Sequence, residues 1–213
     1  MVNVPEDPGS DHTFPPGFFS RADDHDDAEF YSFPRLVHHL DDHARVAVSE
    51  LYENLGVAGR VLDLMSSWVS HLSTKPDHLT VLGMNTHELD QNPMADRRIR
   101  HDLNADPILP FPDASFDEAI CTVSVDYMTQ PVQVFDEIRR TLTTGGTFVC
   151  TFSNRCFPTK AVMGWLASSD EDRCGIVADY FATSVGWDEP QVRVLVGPGS
   201  GTDPLFAVWA HAV

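Results

Sequence analysis

The chain has 213 residues, of which 42% are hydrophobic, and its formal net charge is -18 at pH 7. That length and apolar content predict one folded domain with its own core, and they exclude an intrinsically disordered chain. The negative charge repels nucleic-acid backbones and anionic membrane surfaces, so we expect neither as a partner.

The basic residues are almost all arginine, since Lys75 and Lys160 are the only lysines. An acidic, lysine-poor surface suits a salt-rich cytoplasm, where screening removes its self-repulsion. An ordinary acidic protein is the alternative. No segment reaches the ~20 apolar residues that a membrane span needs, and the acidic, proline-rich start is unlike a secretory signal. The four cysteines show no C-x-x-C spacing. We therefore predict a cytoplasmic, halophilic protein.

The first part of the chain differs in composition from the rest. Residues 1–33 are rich in Pro, Asp and Gly and predict a flexible arm. From Pro34 apolar residues recur at helical spacing, and Gly56 follows, so residues 34–56 predict a helix that begins a single domain over 34–213. We expect this helix to act as a lid over a pocket, with Tyr31, Arg35 or His39 facing inward.

The remaining residues alternate between strand and helix patterns. The predicted strands are 60–64, 79–84, 116–123, 147–152, 191–196 and 205–210, and the predicted helices are 132–142, 161–166 and 171–183. This alternation predicts an α/β fold, a Rossmann-like, mostly parallel sheet of the seven-stranded type with helices on both faces. A Gly- and Pro-rich turn at 197–201 joins the last two strands, so we expect the last strand to be antiparallel.

The turn after the first strand is the best candidate for a ligand site. Asp63 lies near the carboxyl end of that strand, and Ser66 and Ser67 follow as candidate helix caps. A strand that runs directly into a helix start is where open α/β sheets bind ligands. The two serines either cap that helix or contact the ligand. Trp68, which follows them, is a core aromatic or a substrate platform.

Several runs, in this order along the chain, support a family resemblance. Asp63-Leu64 and Gly83-Met84-Asn85 end the first two strands, and Asp102-Leu103-Asn104 precedes the run L-P-F-P-D-A-S-F-D at 109–117. The run L-T-T-G-G-T follows at 142–147. This order resembles the class I S-adenosylmethionine-dependent methyltransferases, and within them the small-molecule type 11 group.

The resemblance implies S-adenosylmethionine as cofactor and assigns residues to it. Asp63 and the turn of Met65, Ser66 and Ser67 hold its amino-acid end. Asn85 takes the ribose, Asp102 and Leu103 frame the adenine, and Ser124 lines the methyl-donor pocket, while Met84 and Asn104 complete the cofactor-binding set.

The chain departs from the family pattern at two of these positions. The first loop reads D-L-M-S-S-W-V where the family carries D-x-G-x-G-x-G, and Asn85 replaces the acid on the second strand. The sequence therefore resembles a subgroup with an S-S-W-V-S-H first loop.

Other polar residues are candidates for acceptor binding or catalysis. Tyr127 and Asp126 follow the fourth strand at the crevice edge, and Tyr31 faces the pocket from the lid. His71 is either a base or a cation at a helix end. Arg155 and Lys160 either recognise an anionic substrate or begin a solvated helix. We take Tyr127, His71 and His39 as candidate bases, and Tyr31, Asp126, Arg155 and Lys160 as substrate residues.

The predicted lid helix carries a histidine pair that could bind a metal. His39 and His43 are four residues apart, a spacing that would place both on one face of a helix. That pair has no third ligand in its motif, so we predict no metal.

The function that these observations favour is methyl transfer from S-adenosylmethionine to a small molecule. The alternative is a non-catalytic methyltransferase-like module that binds a metabolite or a partner protein. The missing glycines favour the module, and the run from Asp102 to Gly146 favours the enzyme.

The charge makes a prediction about salt. With 32 acidic against 14 basic residues, folding brings carboxylates together, and their repulsion is screened only as the Debye length falls from about 10 Å at ~0.1 M to about 3 Å at ~1 M salt. The melting temperature should rise steeply from low to molar potassium chloride at neutral pH. A melting temperature that stays flat or falls would refute the halophilic interpretation.

Overall fold

The structure is a computed structural model that describes residues 14–199 and 201–213. Its centre is a seven-stranded sheet with the order β3-β2-β1-β4-β5-β7-β6. The strands are β1 Arg60–Leu64, β2 His78–Gly83, β3 Arg97–Arg100, β4 Phe116–Thr122, β5 Leu142–Phe152, β6 Gln191–Val196 and β7 Leu205–His211. Strands β1 to β5 pair in parallel, and β7 runs antiparallel to both of its neighbours. The predicted fold class and the antiparallel last strand are confirmed.

Six α-helices accompany the described strands. They are α1 Asp27–Phe30, α2 Asp42–Asn54, α3 Thr86–Asp90, α4 Pro131–Thr141, α5 Met163–Leu166 and α6 Asp170–Thr183. A short 3-10 helix, Val125–Tyr127, follows β4.

Both faces of the sheet carry an apolar core. On one face Phe135 of α4 contacts Phe148 of β5 and Phe181 of α6, with ring centroids 4.9 and 4.7 Å apart. On the other face α2 packs Val48 and Leu51 into a second cluster. Adjacent residues of each central strand alternate between the two clusters, so the strands are apolar on both sides and read as continuous hydrophobic runs.

The lid helix begins later than predicted. Leu36 and Val37 are 44% and 55% exposed, and α2 starts only at Asp42. Asp41 is its cap: one carboxylate oxygen accepts from the Ala44 amide at 2.8 Å, and the other accepts from the Asp203 amide at 2.7 Å. This double contact fixes the helix start, and residues 34–40 reach it as irregular chain.

The prediction of a flexible arm is wrong for residues 14–33, and the rest of the predicted arm lies outside the described residues. The Gly164 and Met163 amides donate to the carbonyls of Phe18 and Ser20 at 2.9 and 2.8 Å. Phe18 also packs against the ring of Phe14, at a centroid distance of 4.9 Å. Composition suggested disorder because the aromatic residues that anchor this segment stand among many polar ones.

The prediction of a helix directly after β1 is also wrong. Residues 65–77 form turns and bends without a helix. Met65 and His71 have positive φ values of 51° and 54°, and the Ser66 amide donates to the Leu82 carbonyl at 2.8 Å. The chain therefore turns across the end of β2, and Ser66 and Ser67 cap no helix.

The packing of residues 14–33 can be tested with a matched pair of variants. Phe18→Ala should lower the free energy of unfolding by about 2 kcal/mol, because it removes a partly buried ring from the aromatic cluster. Phe33→Ala is the control, since Phe33 is 78% exposed. Chemical denaturation measures both, and equal stabilities would show that the segment does not contribute to the fold.

Candidate functional site

A cavity of about 500 Å³ lies at the carboxyl ends of β1, β2 and β4. Polar residues there need not pack in the core, which is why ligands bind at this edge of such sheets. Most of the predicted site residues line it: Tyr31, His39, Asp63, Met65, Ser66, Ser67, His71, Met84, Asn85, Asp102, Leu103, Asn104, Ser124, Tyr127 and Arg155.

Asp126 and Lys160, which were predicted to bind substrate, do not line this cavity. Asp126 is buried at 3% exposure on the 3-10 helix after β4. The Lys160 ammonium is fully buried and lies 3.0 Å from an Asp27 oxygen and 3.2 Å from an Asp23 oxygen. These positions favour structural roles, so neither residue is part of the site as the structure defines it.

The first loop shapes the floor of the cavity without glycine. Met65, directly after β1, and Val123, directly after β4, both have positive φ, 51° and 46°. A positive φ is uncommon for any residue other than glycine, and for the β-branched Val123 it is an outlier. Such backbone strain is found at functional sites that the surrounding structure holds in place. A Cβ on Gly83 would lie 2.2 Å from the Ser66 carbonyl oxygen. Glycine is therefore required at the end of β2, where the loop crosses, instead of in the loop itself.

Asp63 is a buried carboxylate on the cavity wall, with 2% exposure. The Ser66 hydroxyl donates to it at 2.6 Å. Burial raises the pKa of Asp63 to about 7, against the opposing hydrogen bonds from Ser66 and Ser70. No cation of the described residues lies among the groups that shift it. The site therefore presents an uncompensated carboxylate that favours a cationic ligand group.

Asn85 has both ends of its amide engaged. Its nitrogen donates to the Tyr31 carbonyl at 2.8 Å, and its oxygen accepts from the Glu88 amide at 3.1 Å. It thus caps α3 and holds the N-terminal segment over the cavity.

Glu88 is a cavity residue that the sequence analysis missed. Its two oxygens accept from the Arg35 amide and the Ser67 hydroxyl, each at 2.6 Å. Helix α3 would have revealed this residue, but the helix was not predicted. It brings Glu88, which lies three residues after Asn85, back to the end of β2.

The wall between β3 and β4 is built around two polar side chains. Asp102 accepts from the amides of Asn104 and Ala105 at 2.9 and 3.2 Å, which fixes the turn. The Asn104 amide donates to Asp27 at 2.8 Å and to the Tyr127 carbonyl at 3.0 Å. Asn104 therefore joins α1 to the 3-10 helix after β4.

Residues 31–40 form the roof of the cavity. Trp68 donates its indole N–H to the Val37 carbonyl at 3.2 Å and packs against His38, with ring centroids 4.7 Å apart. Trp68 thus joins the first loop to the roof, so it is not a residue of the sheet core.

The three candidate bases differ in protonation. Burial lowers the pKa of His71 to about 4, and it also lowers the pKa of His39, against the opposing effect of Glu88. Both rings are therefore neutral at pH 7. Burial raises the pKa of Tyr127 well above its usual range, and its hydroxyl oxygen accepts from the Phe157 amide at 2.9 Å. Tyr127 can therefore donate a hydrogen bond but is no base at neutral pH.

Comparison with known proteins gives one family match. Residues 68–150 match the model of a methyltransferase domain. The matched segment begins after β1 and the turn of Met65, Ser66 and Ser67. A search of curated proteins found no match.

Solved structures show the same fold. A possible histamine N-methyltransferase from Thermotoga maritima has 14% identity and a TM-score of 0.55, with 80% of this chain and 91% of that chain covered. The (4+2)-cyclase SpnF has 16% identity and a TM-score of 0.59, covering 87% and 91%. The geranyl diphosphate C-methyltransferase of Streptomyces coelicolor, solved with S-adenosyl-L-homocysteine, has 14% identity and a TM-score of 0.51, covering 78% and 77%.

The resemblance to the class I S-adenosylmethionine-dependent methyltransferases is therefore confirmed, and S-adenosylmethionine is the cofactor that these findings indicate. At these identities the solved structures establish the fold and leave the reaction open, as the cyclase among them illustrates.

The residues present fit this cofactor. Its amino-acid end carries an ammonium and its sulfur a positive charge, and the cavity offers the uncompensated carboxylate of Asp63 together with Glu88 and Asp102. Over residues 14–199 and 201–213, no group of three or more acidic, histidine or cysteine side chains could hold a metal ion. The same ranges hold no helix long and apolar enough to cross a bilayer.

The buried carboxyls predict how stability depends on pH. Burial raises the pKa of Asp63 and of Asp126 from 3.8 to about 7, so each favours folding fully below about pH 4 and loses that contribution as the pH rises to about 7. Asp63→Asn should reduce this loss of unfolding free energy with rising pH, by about 1.4 kcal/mol for each unit of pKa shift that it removes. Denaturation from pH 4 to 8 measures the difference between variant and wild type.

Asp24→Asn is the control for this series, because the Asp24 side chain is 78% exposed. Its stability curve should run parallel to that of the wild type. A parallel curve for Asp63→Asn as well would contradict the raised pKa.

Proposed function

We propose that the protein transfers a methyl group from S-adenosylmethionine to a small-molecule acceptor. The observation that carries the proposal is the position of Asp63, a buried carboxylate without a cationic partner at the cavity wall, inside a methyltransferase fold. Its ionised form would bind the ammonium of the cofactor's amino-acid end.

The other cofactor contacts follow from where the side chains lie. Glu88 would take the ribose hydroxyls, since each of its oxygens accepts one hydrogen bond and keeps a second lone pair, whereas the amide nitrogen of Asn85 is held by the Tyr31 carbonyl. Asp102 would frame the adenine together with Leu103, because its turn is fixed independently of any ligand. Met65 and Ser124 would line the methyl-donor region between the ends of β1 and β4.

The bound cofactor would supply an electrophilic methyl group, which the acceptor attacks in a direct displacement. The protein's part is to align the acceptor and to exclude water. Residues 31–40 cover the cavity for this purpose, and the Trp68 indole fixes them to the first loop. Tyr127 would donate a hydrogen bond to the acceptor, and neutral His39 or His71 would accept a proton from an acceptor that must lose one.

The alternative is a methyltransferase-like module without catalytic activity. The irregular first loop favours it, because residues 65–77 provide neither a glycine turn nor a helix N-terminus for the ligand. A module of this kind would bind a metabolite in the same cavity or contact a partner through it. Binding of the cofactor by the folded protein distinguishes the two functions.

Calorimetric titration with S-adenosylhomocysteine in molar salt tests the proposal. The wild type should bind in the micromolar range or more tightly, about 8 kcal/mol. Asp63→Asn should weaken binding by about 1.5–3 kcal/mol, the value of one charge-assisted hydrogen bond. Because Asp63 must be ionised to bind the ammonium, the affinity of the wild type should rise from pH 6 to pH 8.

Asp126→Asn is the matched control, since the Asp126 carboxyl is equally buried and has the same raised pKa of about 7, but does not line the cavity. It should keep the wild-type affinity and pH dependence. No binding heat from folded wild-type protein would overturn the enzyme and favour the module.

A further inference from the structure

Arg35 is a positive charge on the cavity wall that has no acidic partner. It lines the cavity from the roof, in a chain with 32 acidic and 14 basic residues. None of the ion pairs formed within residues 14–199 and 201–213 involves it. A partly buried guanidinium normally finds a carboxylate or phosphate, so a ligand is the group that would complete this site.

The guanidinium is held in place although it has no salt bridge. Its carbon lies 4.6 Å from the ring centroid of Phe30 and 5.3 Å from that of Phe157. Two of its N–H groups donate to the carbonyls of Phe30 and Phe33, at 3.0 and 3.4 Å. Of the five donors that a guanidinium carries, about three therefore stay available in a fixed plane. This arrangement suits the two oxygens of a carboxylate.

Charge divides the cavity into two halves. The acids Asp63, Glu88 and Asp102 lie on the side of β1, β2 and the β3–β4 connection, where the cofactor is proposed, and Asp27, which also lines the cavity, is neutralised by Arg21 and Lys160. Arg35 and Arg155 lie on the side of Phe157, after β5. Arg155 is only loosely paired, since its guanidinium nitrogen is 3.5 Å from an Asp203 oxygen.

The wall beside Arg35 is aromatic. Phe157 lies with its ring centroid 5.4 Å from that of His39 and 6.0 Å from that of Tyr127. Since burial keeps His39 neutral and Tyr127 keeps its proton at pH 7, the arginines supply the positive charge beside Phe157.

We propose that the acceptor is a small molecule with a carboxylate and a flat apolar body, and that Arg35 binds the carboxylate while Phe157 and Tyr127 pack against the body. This inference rests on the proposed methyl transfer and names the substrate class. The carboxylate serves to position the acceptor. The amino-acid end of the cofactor also carries a carboxylate, which could bind Arg35 instead. The test distinguishes the acceptor's carboxylate from the cofactor's.

The test uses benzoate as the anionic probe and benzamide as its neutral isostere, each titrated at one fixed salt concentration. Titrations are run on the free protein and on protein saturated with S-adenosylhomocysteine. Wild type should bind benzoate at least about tenfold more tightly than benzamide in both states. Arg35→Met should remove that preference and leave the affinities for benzamide and for S-adenosylhomocysteine unchanged.

Arg193→Met is the matched control. Arg193 also stacks on an aromatic ring, with its guanidinium carbon 5.3 Å from the centroid of Trp209, but it lies on the edge strand β6 away from the cavity. This variant should keep the wild-type preference for benzoate.

Two results would overturn the proposal. Equal affinity for benzoate and benzamide in the wild type would show that the cavity does not select an anion. A loss of S-adenosylhomocysteine binding in Arg35→Met, with benzoate bound as before, would show that Arg35 holds the cofactor's carboxylate. Failure of the wild type to bind S-adenosylhomocysteine would instead overturn the methyl transfer itself, while the benzoate titration of the free protein would still decide whether Arg35 forms an anion site.

Discussion

The site depends on the ion pairs that the buried Lys160 ammonium forms with two aspartates. The ammonium has 0% exposure and lies between Asp27 and Asp23, and it also donates to the His25 carbonyl at 2.9 Å. Arg21 adds a second cation on Asp27, at 2.7 Å. A charge taken out of water in this way is tolerated only where partners surround it, and removing one of them typically costs about 3–5 kcal/mol. The cluster therefore fixes residues 21–27 against the turn that follows β5, and the roof of the cavity continues directly from them.

The same cluster connects to the cavity wall through Asn104, which donates to Asp27. The roof, the wall between β3 and β4, and the 3-10 helix after β4 consequently form one hydrogen-bonded unit. Here the first loop bends toward β2, and Gly83 leaves the space in which it crosses.

The sheet could be predicted from the sequence because its central strands are buried on both faces and stand out as apolar runs. The bounds of β1 and β6 were predicted without error and those of β2, β4 and β7 to within one residue, while β5 begins earlier, at Leu142, than its predicted start at residue 147. Strand β3 was missed, because it is an exposed edge with the sequence R-R-I-R, which shows no apolar pattern. Helix α3 was missed because it has only five residues and buries Leu89 alone. Such short elements are fixed by tertiary contacts, and periodicity cannot identify them.

The location of the candidate site could be predicted from the sequence, but several of its contacts could not. Strand ends identified Asp63, Asn85 and Tyr127 as cavity residues, because parallel strands end at one edge. Glu88 and the role of Arg35 depend on how a loop and a roof fold back over that edge, which no local pattern encodes. Lys160 was interpreted as a substrate residue or the start of a solvated helix, because its two acidic partners lie more than a hundred positions earlier in the chain and no local pattern reveals them.

The hydrogen bonds of the roof have a consequence for the order of events in a catalytic cycle. Asn85 and Glu88 hold the backbone of Tyr31 and Arg35 while they line the half of the cavity proposed for the cofactor. A ligand that competes for the side chains of Asn85 and Glu88 weakens their hydrogen bonds to the roof. A ligand that orders these side chains strengthens the same hydrogen bonds. By reciprocity, if an acceptor at Arg35 changes the affinity for the cofactor, the cofactor changes the affinity for that acceptor by the same factor. In the proposed methyl transfer, occupancy of the two halves would then be cooperative, and opening of the roof would control release of the products.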